Sequence, residues 1–327
     1  MSFTYSGRVA LLANTIDFAG TFPPASLSLD ESLRVAARFR RVANHPWLFG
    51  KVVVTLPQLK SLSAKDFYLA GADGALWEFT ALGTPEENPD AFFATLRSEL
   101  SYLSEFNSSC GFSVCRRLVT SYENKLPEAL ISAPKNQIVA FGEKFLRSFS
   151  FPGGHAPIYP YLEIPFRGDW REVTSWLGEV FSQSSTIKPG VKIRTGGAYV
   201  PSLTELAEVI AAVSNFKLKF KATQGLHHAV TGTGGFGFVN LFAAVNLRAI
   251  FGAAFGPAEI VRCLGDDDGK HFSFSSESFT WEKFTATLTQ LELARLIHSA
   301  CFGSCSLQEP DLFLGQEIPE IGQENSK

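Results

Sequence analysis

Long apolar runs, paired cysteines and a surplus of charge of one sign are all missing from this sequence, and each absence removes a class of function. The most apolar stretch, Val239 to Phe255, is interrupted by Asn240, Asn246 and Arg248. It falls short of the ~20 apolar residues that span a bilayer, so it predicts a buried helix and no membrane partner. The apolar run near the start is broken by Asn14 and Asp17 and is too short for a secretory signal, so a cytoplasmic location is expected. Cys110, Cys115, Cys263, Cys301 and Cys305 are odd in number and contain no CxxC pair. That argues against a disulfide framework and a structural zinc site, and reduced thiols are the expectation. A formal net charge of −3 and a pI near 6.1 leave no global positive field for nucleic acid or an anionic membrane.

No linker, internal repeat or low-complexity run divides the 327 residues. The hydrophobic content of 45% is enough to build one large core. One domain over 1–314 is expected, followed by a flexible tail over 315–327, where Gly, Pro and several charges cluster.

What the sequence does contain is a set of strands that are cationic on one side. Val191 and Ile193 alternate with Lys192 and Arg194, and Leu218, Phe220 and Ala222 alternate with Lys217, Lys219 and Lys221. Between these strands, Ser202 and Glu205 form a capping-box pattern ahead of a helix whose apolar face carries Leu203, Leu206, Ala207 and Ile210. Strand, helix and strand make a parallel unit. Parallel strands in an open sheet are buried on both faces, which leaves no place for the lysines. A closed barrel accommodates them, with apolar side chains outward under the helices and charged ones inward.

The rest of the chain brings the count to eight strand candidates, most of them followed by helices. Strands are predicted at Arg8 to Asn14, at 50–56, at 76–82, from Arg116 onward and at 158–166. The two cationic strands come next, and HFSFSSE at 271–277 alternates as an eighth. Helices are predicted near Leu29 to Ala43, Asp90 to Phe106, Gln137 to Phe149, after Asp169 with Glu172 completing a capping box, from Phe238, at Pro257 to Leu264, and from Trp281 to about Ala300. The fold class is therefore α/β, a (β/α)8 barrel of TIM type.

In such a barrel the chemistry sits at the carboxyl ends of the strands. Glu123, Lys125, Glu163, Lys192, Arg194, Lys219 and Lys221 should converge there, with His227 and His228 in the loop that follows. Two acids against five bases favour an anionic ligand. Gly196 and Gly197 after the sixth strand, and Gly234 and Gly235 in the TGTGGFG loop before a helix, could present N–H groups to a phosphate or carboxylate. Lys217 lies near the start of its strand and is expected in solvent. His227 and His228 are adjacent, so in an extended segment only one should enter the site. No HExxH spacing supports a metal. A structural polar layer filling the barrel is the plain alternative for the charged set. For Cys301 and Cys305 the plain reading is small buried hydrophobes, with Ser304, Cys305 and Glu309 covering the barrel mouth.

The segments KIRTGG (192–197), FKATQGLHH (220–228), GFVNLF (237–242) and FGSCSLQEP (302–310) resemble an uncharacterised bacterial protein family. More distantly, VKIRTGG and FKATQG look like the lysine-bearing strands of deoxyribose-phosphate aldolases. That resemblance implies a Schiff-base lysine at Lys192 or Lys221. The charge pattern is also similar to quinolinate and nicotinate phosphoribosyltransferase barrels, which implies the same groups around an anionic substrate.

The expectation is an aldolase-type lyase acting on a small, anionic, phosphorylated metabolite. Lys221 is the nucleophile, with its pKa lowered by Lys192 or Lys219; Glu163 and Glu123 handle protons and Lys125 completes the catalytic group. Arg194, Lys219, Gly196, Gly197, His227, His228, Gly234 and Gly235 hold the substrate. No cofactor and no metal are expected for this chemistry. Phosphoribosyl transfer, which would require magnesium, and a barrel that binds a metabolite or protein without turnover are the alternatives. Self-association into a homo-oligomer stays open.

Overall fold

The computed structural model of the chain describes residues 5–63, 76–109, 116–149, 157–185, 187–197 and 200–318. In chain order, helix α1 is Gly7–Leu12, strand β1 Ile16–Phe18, α2 Leu29–Val42, β2 Phe49–Thr55, α3 Leu56–Ser61, β3 Leu76–Leu82, α4 Pro89–Ser108 and β4 Arg116–Lys125. Then come α5 Lys135–Ser148, β5 Tyr159–Glu163, α6 Trp170–Ser182, β6 Gly190–Arg194, α7 Leu203–Asn215, β7 Phe220–Thr223, α8 Phe238–Phe251 and α9 Pro257–Gly265. The chain finishes with β8 Phe272–Phe274, β9 Ser278–Trp281, β10 Phe284–Thr287, α10 Leu288–Ile297, β11 Ser299–Ser304 and α11 Gln308–Glu317.

Strands β1 to β7 follow one another around a closed barrel, and β11 sits between β7 and β1. Every neighbouring pair in the barrel is parallel. This is a single-domain (β/α)8 barrel, and closure leaves no exposed sheet edge. The predicted two-sidedness of the strands is realised. Val52, Val54, Phe79, Ala81, Leu162, Val191, Ile193, Ala222 and Phe302 join the apolar core. Many of the alternate positions, among them Asp17, Lys51, Thr80, Glu163, Lys192 and Lys221, carry polar side chains into the barrel, while Val53 and Leu82 there are apolar.

Local signals explain several boundaries. Ser28 with Glu31 and Ser202 with Glu205 form reciprocal capping boxes at the starts of α2 and α7. Asp169 precedes α6 without a side-chain cap bond, so the capping box expected with Glu172 is not formed. Helix α8 is buried over nearly all of its circumference, from Phe238 to Leu247, as its apolar composition implies. None of the described helices is long and apolar enough to cross a membrane.

Three predicted elements are different. The segment predicted as the first strand, Arg8 to Asn14, is helix α1, and the strand is the following Ile16–Phe18. A short apolar run does not distinguish the two by periodicity. HFSFSSE is indeed extended at β8, but it pairs antiparallel with β9, which pairs antiparallel with β10, in a small sheet outside the barrel. The β9–β10 turn places Glu282 at φ 48 without a glycine, so the usual hairpin signal is absent. The helix expected from Trp281 to about Ala300 is instead this hairpin, the shorter α10, and the start of the eighth barrel strand, β11.

The C-terminal boundary also moves. Helix α11 runs through Glu317, and Ile318 is fully buried, so residues 315–318 belong to the barrel. Residues 319–327 lie outside the described residues.

Candidate active site

Parallel register brings the polar positions of neighbouring strands to one level. Lys192 on β6 is level with Glu163 on β5 and Lys221 on β7. Asp17 on β1 is level with Lys51 on β2. From these positions a continuous ionic network crosses the barrel. Lys221 pairs with Asp17 on one side and with Glu123 on the other. Lys192 Nζ lies 2.7 Å from Glu123 Oε2 and 3.1 Å from Glu163 Oε2. Arg194 Nε lies 2.7 Å from Glu163 Oε1. The order Asp17, Lys221, Glu123, Lys192, Glu163, Arg194 alternates in charge, which is how a buried cluster of ions compensates its lost hydration.

Asp17 is the member that sequence reasoning missed, since it appeared only as a break in an apolar run. It is fully buried, and its Oδ2 also accepts bonds from Thr80 Oγ1 at 2.8 Å and Cys301 Sγ at 3.2 Å. The available signal was Ile16-Asp17-Phe18, an acid between two apolar residues, the same alternation that marks β6 and β7.

The network reverses the expected acidity of the lysines. Burial alone would lower the pKa of Lys221, but the Asp17 and Glu123 carboxylates outweigh it and hold it well above the ordinary lysine value. Burial likewise opposes Lys192, yet Glu123 and Glu163 leave its pKa raised. Lys192 and Lys219 therefore do not render Lys221 a free amine, because carboxylates flank it on both sides. The acids respond in the opposite sense. Burial acts to raise Asp17, Glu123 and Glu163, and the adjacent cations bring all three below their usual values.

Lys219 is the lysine whose pKa is lowered, by burial first and by Lys51 second. It lies outside the ion chain, with its Nζ 5.1 Å from the centre of the Tyr159 ring. Lys51 donates to Ser121 Oγ at 2.6 Å. Lys51 is thus level with Asp17 and close enough to Lys219 to depress it, but neither lysine is a link of the ion chain. Lys217 is exposed, as expected.

Above the network is a cavity of about 310 Å³. Its polar walls include Glu123, Lys192, Arg194, Lys221, Thr223, Gln224, His227 and Cys305; Phe22, Pro23, Pro24, Val53 and Leu82 supply apolar surface. Lys192 retains 10% of its side-chain exposure and Lys221 only 1%, so Lys192 is the lysine that a ligand in the cavity reaches more readily.

The predicted glycines divide. Gly197 and Gly225 line the cavity, and a Cβ on Gly196 would sit 3.0 Å from the Gly225 nitrogen, so the loops after β6 and β7 need glycine to approach. Gly235 is engaged within its own loop, while Gly234 borders a separate, outer cavity. Gly232 and Gly235 exchange both of their backbone bonds at 3.1 Å. The N–H groups of Gly237, Phe238 and Val239 are bonded to Thr231 Oγ1, the His228 carbonyl and the Ala229 carbonyl. The start of α8 is therefore satisfied by its own loop.

Lys125 also leaves the expected group. It is exposed at the rim, where it borders a separate cavity of about 250 Å³ with Glu128, Glu163, Arg167 and Arg194. Both histidines pair with carboxylates of α11, but only His227 borders the cavity above the lysines. His227 enters the barrel mouth, whereas His228 stacks on Phe313 with centroids 4.1 Å apart and pairs with Glu317 at 2.6 Å, which fastens α11. Among the described residues, no group of three or more His, Cys, Asp or Glu side chains is arranged to hold a metal ion. Cys263, Cys301 and Cys305 are free thiols, and Cys110 and Cys115 lie outside the described residues.

Comparison of the chain with protein-family models, curated proteins and solved structures yields no match. The functional reading therefore rests on the site itself.

Proposed function

We propose that this barrel is a lysine-dependent enzyme for a small anionic carbonyl compound, with aldolase-type chemistry carried by Lys192. The observation that carries the reading is the pair Lys192 and Lys221, level on adjacent strands and sharing the two oxygens of Glu123 beneath an open cavity. Of the two, Lys192 has the exposure a nucleophile needs. Lys221, locked between Asp17 and Glu123, serves as a fixed charge.

The chemical steps use groups already in contact. Lys192 gives a proton to Glu123 or Glu163 and attacks the carbonyl carbon, forming a C–N bond. One proton moves from the attacking nitrogen to the oxygen, the same carboxylic acid returns the other, and the oxygen leaves as water, producing a protonated imine. As Glu163 takes the proton of the hydroxyl on the β carbon, the bond between the α and β carbons breaks, its electron pair passes into the protonated imine and an aldehyde leaves. Glu163 then protonates the resulting enamine and water frees the second product from Lys192, with the Lys221 ammonium holding Glu123 in place throughout. Arg194, partly exposed at the mouth, is the group for the ligand's anionic substituent, phosphate being the favoured one. Self-association is not required by this chemistry.

Borohydride trapping tests the reading. The protein is incubated with pools of small aldehydes, ketones and phosphosugars, reduced, and mapped by peptide mass. An adduct on Lys192 that is lost in Lys192→Ala supports it, and its mass identifies the carbonyl partner. Adducts on surface lysines alone, at the same rate in Lys192→Ala, overturn it.

A further inference from the structure

The barrel mouth holds a second cluster of reactive groups that the lysine chemistry does not use. Cys305 follows the last residue of β11, and His227 lies in the loop after β7, the strand to which β11 is paired. Both therefore stand at the carboxyl ends of adjacent strands. Cys305 Sγ is 3.9 Å from His227 Nε2, and His227 Nδ1 is 2.6 Å from Glu309 Oε2 in the first turn of α11. A thiol, an imidazole and a carboxylate thus stand in series, each joined to the next through the atoms that proton transfer needs.

The surroundings hold this arrangement in place. Ser304 Oγ donates to the Ser306 carbonyl at 2.7 Å and accepts from the Ser306 N–H at 3.2 Å, making a tight turn around Cys305. Ser306 Oγ accepts the Glu309 N–H at 3.2 Å, which fixes the start of α11 and with it the carboxylate. The other described cysteines are placed differently. Cys301 is buried against Asp17, with its thiol pushed up to about 12 by burial first. Cys263 is buried and directed at the Asn240 carbonyl. Cys305 alone among the described thiols is partly exposed.

Cys305 and His227 form the wall between two cavities. One is the polar cavity above Lys192. The other, about 620 Å³, has Phe18, Leu27, Val35 and Phe313 as its main apolar lining, beside polar residues that include His228 and Gln308. An apolar group in this outer cavity would have its carbonyl carbon beside the thiol.

We infer that Cys305, His227 and Glu309 form a second catalytic centre that hydrolyses a thioester or other activated ester, with the apolar acyl group seated in the outer cavity. The thiol proton passes to His227 Nε2 as the Cys305 sulfur bonds to the carbonyl carbon. The bond to the leaving group breaks, and His227 gives that group its proton. Water then attacks the acyl-cysteine, with His227 taking and returning its proton, so that carboxylic acid is released and the thiol restored. Glu309 orients the imidazole through Nδ1 and stabilises its charged form. In keeping with these contacts, the hydrogen bond to Cys305 first and the Glu309 carboxylate as well raise the His227 pKa against its partial burial. This centre does not depend on Lys192, and either chemistry can fail without the other.

Two probes test it on the full chain, with iodoacetamide reporting the thiolate and 4-nitrophenyl butanoate the acyl step. At about pH 6, where an ordinary thiol of pKa about 8.5 is almost wholly protonated, Cys305 should alkylate at least about tenfold faster than a free cysteine peptide. His227→Gln should remove that advantage and Glu309→Gln reduce it. The ester should leave one butanoyl group on the Cys305 peptide and release 4-nitrophenol catalytically, both abolished in Cys305→Ser. A cooperative thermal melt for each variant separates loss of chemistry from loss of fold. Alkylation of Cys305 no faster than the peptide, a rate indifferent to His227→Gln in a folded variant, or a reactive thiol with no acyl adduct and no nitrophenol release would each overturn the assignment.

Discussion

Glu123 joins Lys192 and Lys221 through separate oxygens, so one buried carboxylate holds two buried ammonium groups on adjacent strands. Removing its charge leaves two cations each short of a partner in a site that water scarcely enters. Breaking a buried pair in this way costs about 3–5 kcal/mol. Glu123→Gln should therefore lower unfolding free energy by that order in a denaturant titration, with a cooperative transition retained. A loss under about 1 kcal/mol would mean that the network is solvated and contributes little.

The raised pKa of Lys192 makes a prediction for its reactivity. Its neutral amine is scarce at neutral pH and increases about tenfold per pH unit until the raised value is reached. The rate of borohydride-trapped imine formation at Lys192 should climb across the range from about pH 7 to pH 9 without levelling. A plateau near neutrality would show that ligand binding itself lowers the pKa, and the carboxylates would then have to move away from Lys192.

Stability should fall at both pH extremes through the same network. Asp17, Glu123 and Glu163 have depressed folded values, so their contribution is present above the unfolded carboxylate pKa of about 4 and is lost as pH drops through the folded values. Lys192 and Lys221 have raised folded values, so theirs is present below about 10.4 and is lost as pH rises through them. Denaturant midpoints measured from acid to alkali should show a broad plateau with both edges steep. In Asp17→Asn the acid edge should flatten, because one of the protons taken up on unfolding disappears.

Arg194 is tied to the network through Glu163 alone and keeps 38% of its side chain exposed, so it can turn toward a ligand. Arg194→Ala should weaken binding of inorganic phosphate or a phosphosugar by about tenfold or more, the order expected from losing a charge-assisted pair, while changing stability by less than about 1 kcal/mol. Calorimetry and a denaturant titration read the two quantities separately. Equal affinity in the variant would move the anion site elsewhere.

Much of this protein was determined by its sequence alone. Alternation of charge with apolar side chains on β6 and β7 demanded a closed parallel barrel, because only closure gives one face of a parallel strand to helices and the other to a polar interior. The same period placed Glu123, Glu163, Lys192, Arg194 and Lys221 on the inner face. Tertiary structure decided the rest. Asp17 and Cys305 reach the site from opposite ends of the chain because β1 and β11 close the barrel; β1 has only three residues, and β11 begins inside a stretch that reads as the end of a helix. Whether a lysine is acidified or held charged depends on how many carboxylates share its level, and that count follows from register between strands distant in sequence. The glycine loop before α8 likewise resembles an anion site by composition, yet the N–H groups of Gly232, Gly235 and Gly237 are already bonded, and only the folded backbone shows to what.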